Sequence, residues 1–139
     1  MTIIVIAGGL SHERDVSLRS GRRVAKALRE AGRQVIEADV NADLVPLLHR
    51  TDDPVVVPML HGGLGEDGAL REVLGVLKVP FVGPNGASSR LTFDKSIATS
   101  IVRSAGIDAP LQIALPHDIF RELGAPALMD GIGEQLGYP

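Results

Sequence analysis

Ile3-Ile4-Val5-Ile6-Ala7 is an unbroken, largely β-branched run ended by Gly8-Gly9, and a different period starts a few residues later. A strand without polar alternation has to be covered on both faces, which points to a parallel sheet sandwiched between helices. The second period is helical. Val16, Ser20, Val24, Ala27, Leu28 and Ala31 share one face, and Arg19, Arg22, Arg23, Lys26 and Arg29 lie opposite as a solvated basic stripe. Asp15 reads as the N-cap of this helix and Gly32 as its stop.

The alternation continues. Gln34–Val40 reads as a second strand and Asp43–Arg50 as a short helix, with Pro46 tolerated in its first turn. Val55-Val56-Val57 is a third strand, in which Pro58 ends the pairing before His61. Leu70, Val73, Leu74 and Leu77 make the next helix face, and Val79–Val82 reads as a fourth strand before the turn Gly83-Pro84-Asn85-Gly86. Asp94 caps a helix running to about Ala105, with Gly106 as its stop. Beyond it, Leu111–Leu115 reads as strand, and Ile119–Leu123 and Ala127–Leu136 as helices. Tyr138-Pro139 reads as the approach to a further strand. Strands alternating with helices predict an α/β fold built on an open, doubly wound parallel sheet.

Composition narrows the function. With 45% hydrophobic and 22% charged residues the chain has the balance of a globular domain, not of a disordered segment. No apolar run is long enough to cross a bilayer, and Ile3–Ala7 is too short for a secretory signal, so a cytoplasmic location and no membrane partner are expected. A net charge of −3 disfavours nucleic acid as a partner. Zero cysteines exclude disulfides, thiolate metal sites and cysteine nucleophiles.

In an open parallel sheet, ligands gather at the carboxyl ends of the strands. Two loops there are rich in glycine and polar residues: Gly8-Gly9-Leu10-Ser11-His12-Glu13-Arg14-Asp15-Val16-Ser17 and His61-Gly62-Gly63-Leu64-Gly65-Glu66-Asp67-Gly68. Glu13 reads either as a helix-start carboxylate or as an anchor for a ligand ammonium. His61 has the chemistry to donate to a carboxylate, so the two loops suit a small zwitterion. Asp67 and Glu66 read as braces for the second loop, and His12, His49 and His117 as surface residues. His12, Glu13, His61 and Glu66 lack the tight spacing of a metal motif, so no metal ligands are assigned. Ser11-His12 lacks the strand-to-helix elbow of a serine nucleophile, and the dinucleotide fingerprint is missing after the first strand.

These two loops, together with Phe93-Asp94-Lys95, resemble in order and spacing the N-terminal part of the D-alanine–D-alanine ligases, a family of ATP-grasp enzymes. The resemblance implies a Rossmann-like substrate-binding domain over residues 1–93 and, over 94–139, the truncated start of the ATP-grasp central domain. It implies ATP and Mg²⁺ as cofactors, D-alanine as substrate, a role in peptidoglycan precursor synthesis, and a homodimer. In that chemistry ATP phosphorylates one D-alanine carboxylate and the amine of a second D-alanine attacks the acyl phosphate. Carried over to this sequence, Glu13 anchors the ammonium of the first D-alanine and Val16 lines its methyl pocket. His61 stabilises charge beside the reacting carboxylate, and Lys95 reaches the ATP phosphates.

The family's remaining Mg²⁺ and ATP ligands lie past the point matching Pro139. The expectation is therefore a fragment that does not ligate alone, with apolar positions such as Phe120, Leu128 and Ile132 short of packing partners. Two rival readings stand beside it: a non-catalytic α/β amino-acid-binding or interaction module, and another ATP-grasp ligase with different loops.

Overall fold

The computed structural model describes residues 1–137, in two compact units divided between Phe93 and Asp94. The first unit contains β1 (Thr2–Ile6), α1 (Arg14–Glu30), β2 (Val35–Ala38), α2 (Leu44–Arg50), β3 (Pro54–Pro58), α3 (Ala69–Val76) and α4 (Gly86–Phe93). A single 3-10 turn at Gly63–Gly65 precedes α3. The strands are parallel in the order β2-β1-β3, with Ile4 opposite Ile36 on one side and Val56 on the other.

Every residue of β1 is buried, as its unbroken apolar run requires. Alternate side chains feed two cores. Ile4 and Ile6 join Val56, Leu44 and Leu48 of α2, and Leu70 and Leu74 of α3. Ile3 and Val5 pack with Ala25 of α1, flanked by Val24 and Leu28. Helices therefore cover both faces, the doubly wound α/β arrangement. The chain leaves β1 for β2 on one side and then passes to β3 on the other, so the switch in strand order falls between β1 and β3. The loops leaving those two strands are the ones singled out by their sequence.

Helix α1 lies close enough to β1 that a Cβ on Gly21 would stand 2.4 Å from the Cβ of Ala7. Gly21→Ala should destabilise the unit by about 1–3 kcal/mol through overpacking. That exceeds the gain in helix propensity of up to about 1 kcal/mol. The urea midpoint should fall; an unchanged or raised midpoint would show that α1 is free to move away.

The fourth strand does not form. Residues 79–82 make only one bridge, Val56 to Phe81, through Val56 N–H to Pro80 O at 2.8 Å and Val82 N–H to Val56 O at 2.9 Å. The reason lies in the prolines. Asp53 accepts from Thr2 and Met59 donates to Ile6, so residues 53, 55, 57 and 59 face β1 and residues 54, 56 and 58 face outward. Pro54 and Pro58 have no N–H to offer on that edge, nor does Pro80 across from it, and only Val56 both donates and accepts.

Helix α1 begins two residues before the expected start. Glu13 holds the cap position and Asp15 lies in the first turn instead of capping it. Gly32 has φ 74° just past the end, as a stop requires. Helix α4 is an addition to the sequence reading. It lacks an apolar stripe, with only Gly86 and Ser89 buried, and its start is marked by Asn85 Oδ1 accepting from Ser88 N–H at 2.8 Å.

The second unit holds α5 (Lys95–Ser104), α6 (His117–Leu123) and α7 (Ala125–Leu136). Asp94 caps α5 by accepting from Ser96 N–H at 2.9 Å and Ile97 N–H at 3.2 Å. Residues 111–115 are not a strand, because among the described residues of this unit there is no strand to pair with. Leu123, Met129 and Leu136 are exposed, and Gly133 is the only buried residue of α7. The strand approach read at Tyr138-Pro139 lies outside the described residues. Among the described residues no helix is long and apolar enough to cross a membrane.

Candidate functional site

Three serines join the loops at the switch point. Ser17, fully buried in the first turns of α1, accepts from Gly8 N–H and donates to Met59 O, each at 2.8 Å, so it ties the end of β1 to the end of β3. Ser11 donates from its hydroxyl to His61 O and accepts from Glu13 N–H at 3.0 Å. Ser20 Oγ lies 3.2 Å from His61 Nε2. The result places the backbone of one loop and the imidazole of the other in fixed register.

Glu13 occupies the N-cap of α1, yet its side chain caps nothing, because Ser11 has taken that task. Its carboxylate makes no hydrogen bond or ion pair with any described residue. One oxygen, Oε1, lies 3.1 Å from the point a Cβ on Gly62 would occupy. The acid therefore sits against the residue next to His61. Gly62 has φ 69° and ψ 159°, a region open essentially to glycine alone, and the missing side chain leaves room for both Glu13 and Ser11. A carboxylate at a helix start is favoured by the helix dipole, and without a partner it is available to an ammonium.

His61 is one-third exposed and its Nδ1 lies 4.0 Å from Glu66 Oε1, an ion pair when the ring is protonated. Asp67 Oδ1 accepts from Ala69 N–H at 2.8 Å, which fixes the entry to α3. Asp67 thus braces the second loop, as expected, while the Glu66 carboxylate has, among the described residues, only its contact with the His61 ring. Val16 is in the first turn of α1 and 40% exposed. His12, His49 and His117 are exposed.

A cavity of about 460 Å³ also opens between the loops, lined by Leu10, Val40, Leu60 and Val73 with the glycine backbones, and by Ser11 and His61. Neither Glu13 nor Val16 lines it. Most of its wall is apolar, so a zwitterion seated away from Ser11 and His61 would lose hydration there without compensation. The polar corner of Ser11, Glu13, Ser20 and His61 is the better candidate.

Asp39, at the carboxyl end of β2, was not among the residues singled out by sequence. Its Oδ1 accepts from Gly9 N–H and Val40 N–H, each at 2.7 Å, and its Oδ2 meets Arg14 Nη2 at 2.5 Å. Burial pushes this carboxyl up, but the Arg14 guanidinium and the two backbone N–H groups outweigh it and hold the group below its ordinary value. Its stabilising contribution should be complete above the unfolded aspartate value of about 3.9 and lost as pH falls through the lower folded value. A carbon-13 NMR titration of the Asp39 carboxyl would check the sign; a midpoint above the unfolded value would contradict it.

Among the described residues, no three carboxylate or imidazole side chains converge to hold a metal ion, so this chain does not by itself fit Mg²⁺. Lys95, in the second unit, is exposed in the first turn of α5. That unit has three helices and no strand among its described residues.

A parallel sheet whose switch-point loops present an unpartnered acid and a braced imidazole defines an α/β ligand-binding module, and fold alone goes no further. No protein-family model matches the chain. It is 40% identical over 114 residues to the D-alanine–D-alanine ligase of Magnetococcus marinus, covering 82% of this chain and 37% of that protein. With the D-alanine–D-alanine ligase of Coprothermobacter proteolyticus it shares 35% identity over 148 aligned positions, covering 99% of this chain and 49% of the relative. The crystal structure of the Bacillus anthracis D-alanine–D-alanine ligase complexed with ATP superposes with a TM-score of 0.73 at 27% identity, over 99% of this chain and 55% of that one.

The chain belongs to the D-alanine–D-alanine ligase family, as a segment of it. It spans less than half the length of the curated relatives it matches. These relatives do not favour the non-catalytic module reading.

Proposed function

We propose that this chain is the part of an ATP-dependent D-alanine–D-alanine ligase that receives the first D-alanine, in peptidoglycan precursor synthesis. Residues 1–93 act as the substrate-binding domain, and residues from 94 onward open the ATP-grasp central domain. The observation that carries the reading is the unpartnered Glu13 carboxylate beside Gly62, next in sequence to His61. Glu13 takes the ammonium by a charge-assisted hydrogen bond, and Val16 lies against the methyl group. His61 faces the amino acid's carboxyl end and stabilises negative charge developing on its oxygen. ATP supplies the activation of that carboxylate, and Lys95 is the residue of this chain assigned to its phosphates. No step is assigned through Mg²⁺. A cytoplasmic homodimer without nucleic-acid or membrane partners belongs to the same reading.

Ser20 is a positioning residue for the ring. Ser20→Ala should cost about 1 kcal/mol, or roughly fivefold in turnover, with the D-alanine KM little changed. A change confined to KM would argue against that role. Phosphate release from ATP, measured with D-alanine on this chain and on any longer form of the protein, tests the reading as a whole. The longer form should respond to D-alanine and the 139-residue chain should not. A longer form indifferent to D-alanine would overturn it.

A further inference from the structure

Arg14 directly follows Glu13, and it is the nearest cation in sequence to the acid that the proposed function gives to a ligand ammonium. Its guanidinium makes no ion pair with that acid. Nη1 donates to Gly9 O at 2.9 Å and Nη2 reaches Asp39 Oδ2, while Asp39 Oδ1 takes Gly9 N–H. Both backbone groups of Gly9 are thereby held by one ion pair. The pairing depends on Gly8 as well, since a Cβ there would fall 2.3 Å from Asp39 Oδ1. The sheet register supplies the partner: Ala38 is opposite Ile6, so Asp39, the residue just after β2, arrives beside the start of the loop.

The two side chains are 46% and 26% exposed, and ion pairs so placed contribute little to stability. Its effect on the neighbouring acid is larger. A guanidinium left unpaired beside Glu13 would either bind that carboxylate or repel an incoming ammonium, and both weaken binding. We infer that Asp39 is a positioning residue for the ligand site: it draws Arg14 onto Gly9 and so leaves the Glu13 carboxylate open to an amino-acid ammonium. The inference rests on the reading of Glu13 given under the proposed function.

The test follows amide shifts of residues 8–15 and 61–65 in the isotope-labelled 139-residue chain during titration with D-alanine. Asp39→Asn keeps the shape and the acceptor for Gly9 N–H but releases Arg14, and should raise the Kd about tenfold. Adding Arg14→Gln removes the competing charge and should return the Kd to within about threefold of the unsubstituted chain, a non-additive recovery that a purely structural role does not give. The melting temperature of Asp39→Asn reports separately on folding.

An Asp39→Asn chain that binds as well as the unsubstituted one would overturn the inference while leaving the Glu13 assignment standing. So would a double variant no better than Asp39→Asn alone. If the unsubstituted chain does not bind D-alanine, the assignment of Glu13 itself fails and takes the inference with it.

Discussion

Replacing Glu13 by Gln should, on the proposed function, weaken binding of D-alanine by about 1.5 kcal/mol or more, roughly tenfold. The substitution keeps the size of the side chain and one acceptor oxygen, so the loss isolates the charge. Two features of the site make the effect large. The carboxylate has no partner among the described residues, so no existing ion pair offsets the gain of a ligand ammonium. Its backbone is held at both ends, by Ser11 Oγ at its N–H and by Ser17 N–H at its carbonyl, so little ordering entropy opposes the contact. The comparison is a D-alanine KM or Kd for the two forms at equal pH and salt. Equal values would mean that the ammonium sits elsewhere.

His61→Ala should, on the same proposal, act on rate rather than on nucleotide affinity. If the proposed function holds, it should lower ligase turnover about 100-fold, near 3 kcal/mol, with the KM for ATP unchanged. Ser20 Oγ lies 3.2 Å from Nε2 and holds one side of the ring, while Nδ1, 4.0 Å from Glu66 Oε1, makes no hydrogen bond among the described residues and is open to a ligand. A preorganised donor is worth most where charge develops during the reaction, and its removal shows in kcat. A variant whose only defect is a raised ATP KM would place His61 at the nucleotide instead.

Much of this architecture was legible in the residues. The apolar run of β1 dictated burial on both faces, and its glycine ending placed the ligand loop at the carboxyl edge. The cap at Asp94 and the stop at Gly32 were visible because one side chain and one dihedral decide each of them. The strand expected at Val79–Val82 was not, because its failure depends on which edge Pro54 and Pro58 present, and that is fixed only by the register of β3 against β1.

The site divides in the same way. Glu13 and His61 stand in glycine loops whose composition gives them away. Ser20 was readable only as part of a helical face, although a polar residue on an apolar face is the signal that it has a partner. Ser17 adjoins that stripe without belonging to its pattern, and its two bonds join residues 9 and 42 positions away. Asp39 is one acid after a strand, and its role appears only when β2 is laid beside β1. Local chemistry is readable from one segment; long-range pairing needs the sheet.

The most direct measurement is a crystal structure of this chain, or of a longer form carrying it, with D-alanine bound. The ammonium nitrogen should lie about 2.7–2.9 Å from a Glu13 oxygen, with the carboxylate toward the His61 ring. An amino acid found in the reverse orientation, or seated in the apolar cavity away from Glu13, would contradict it.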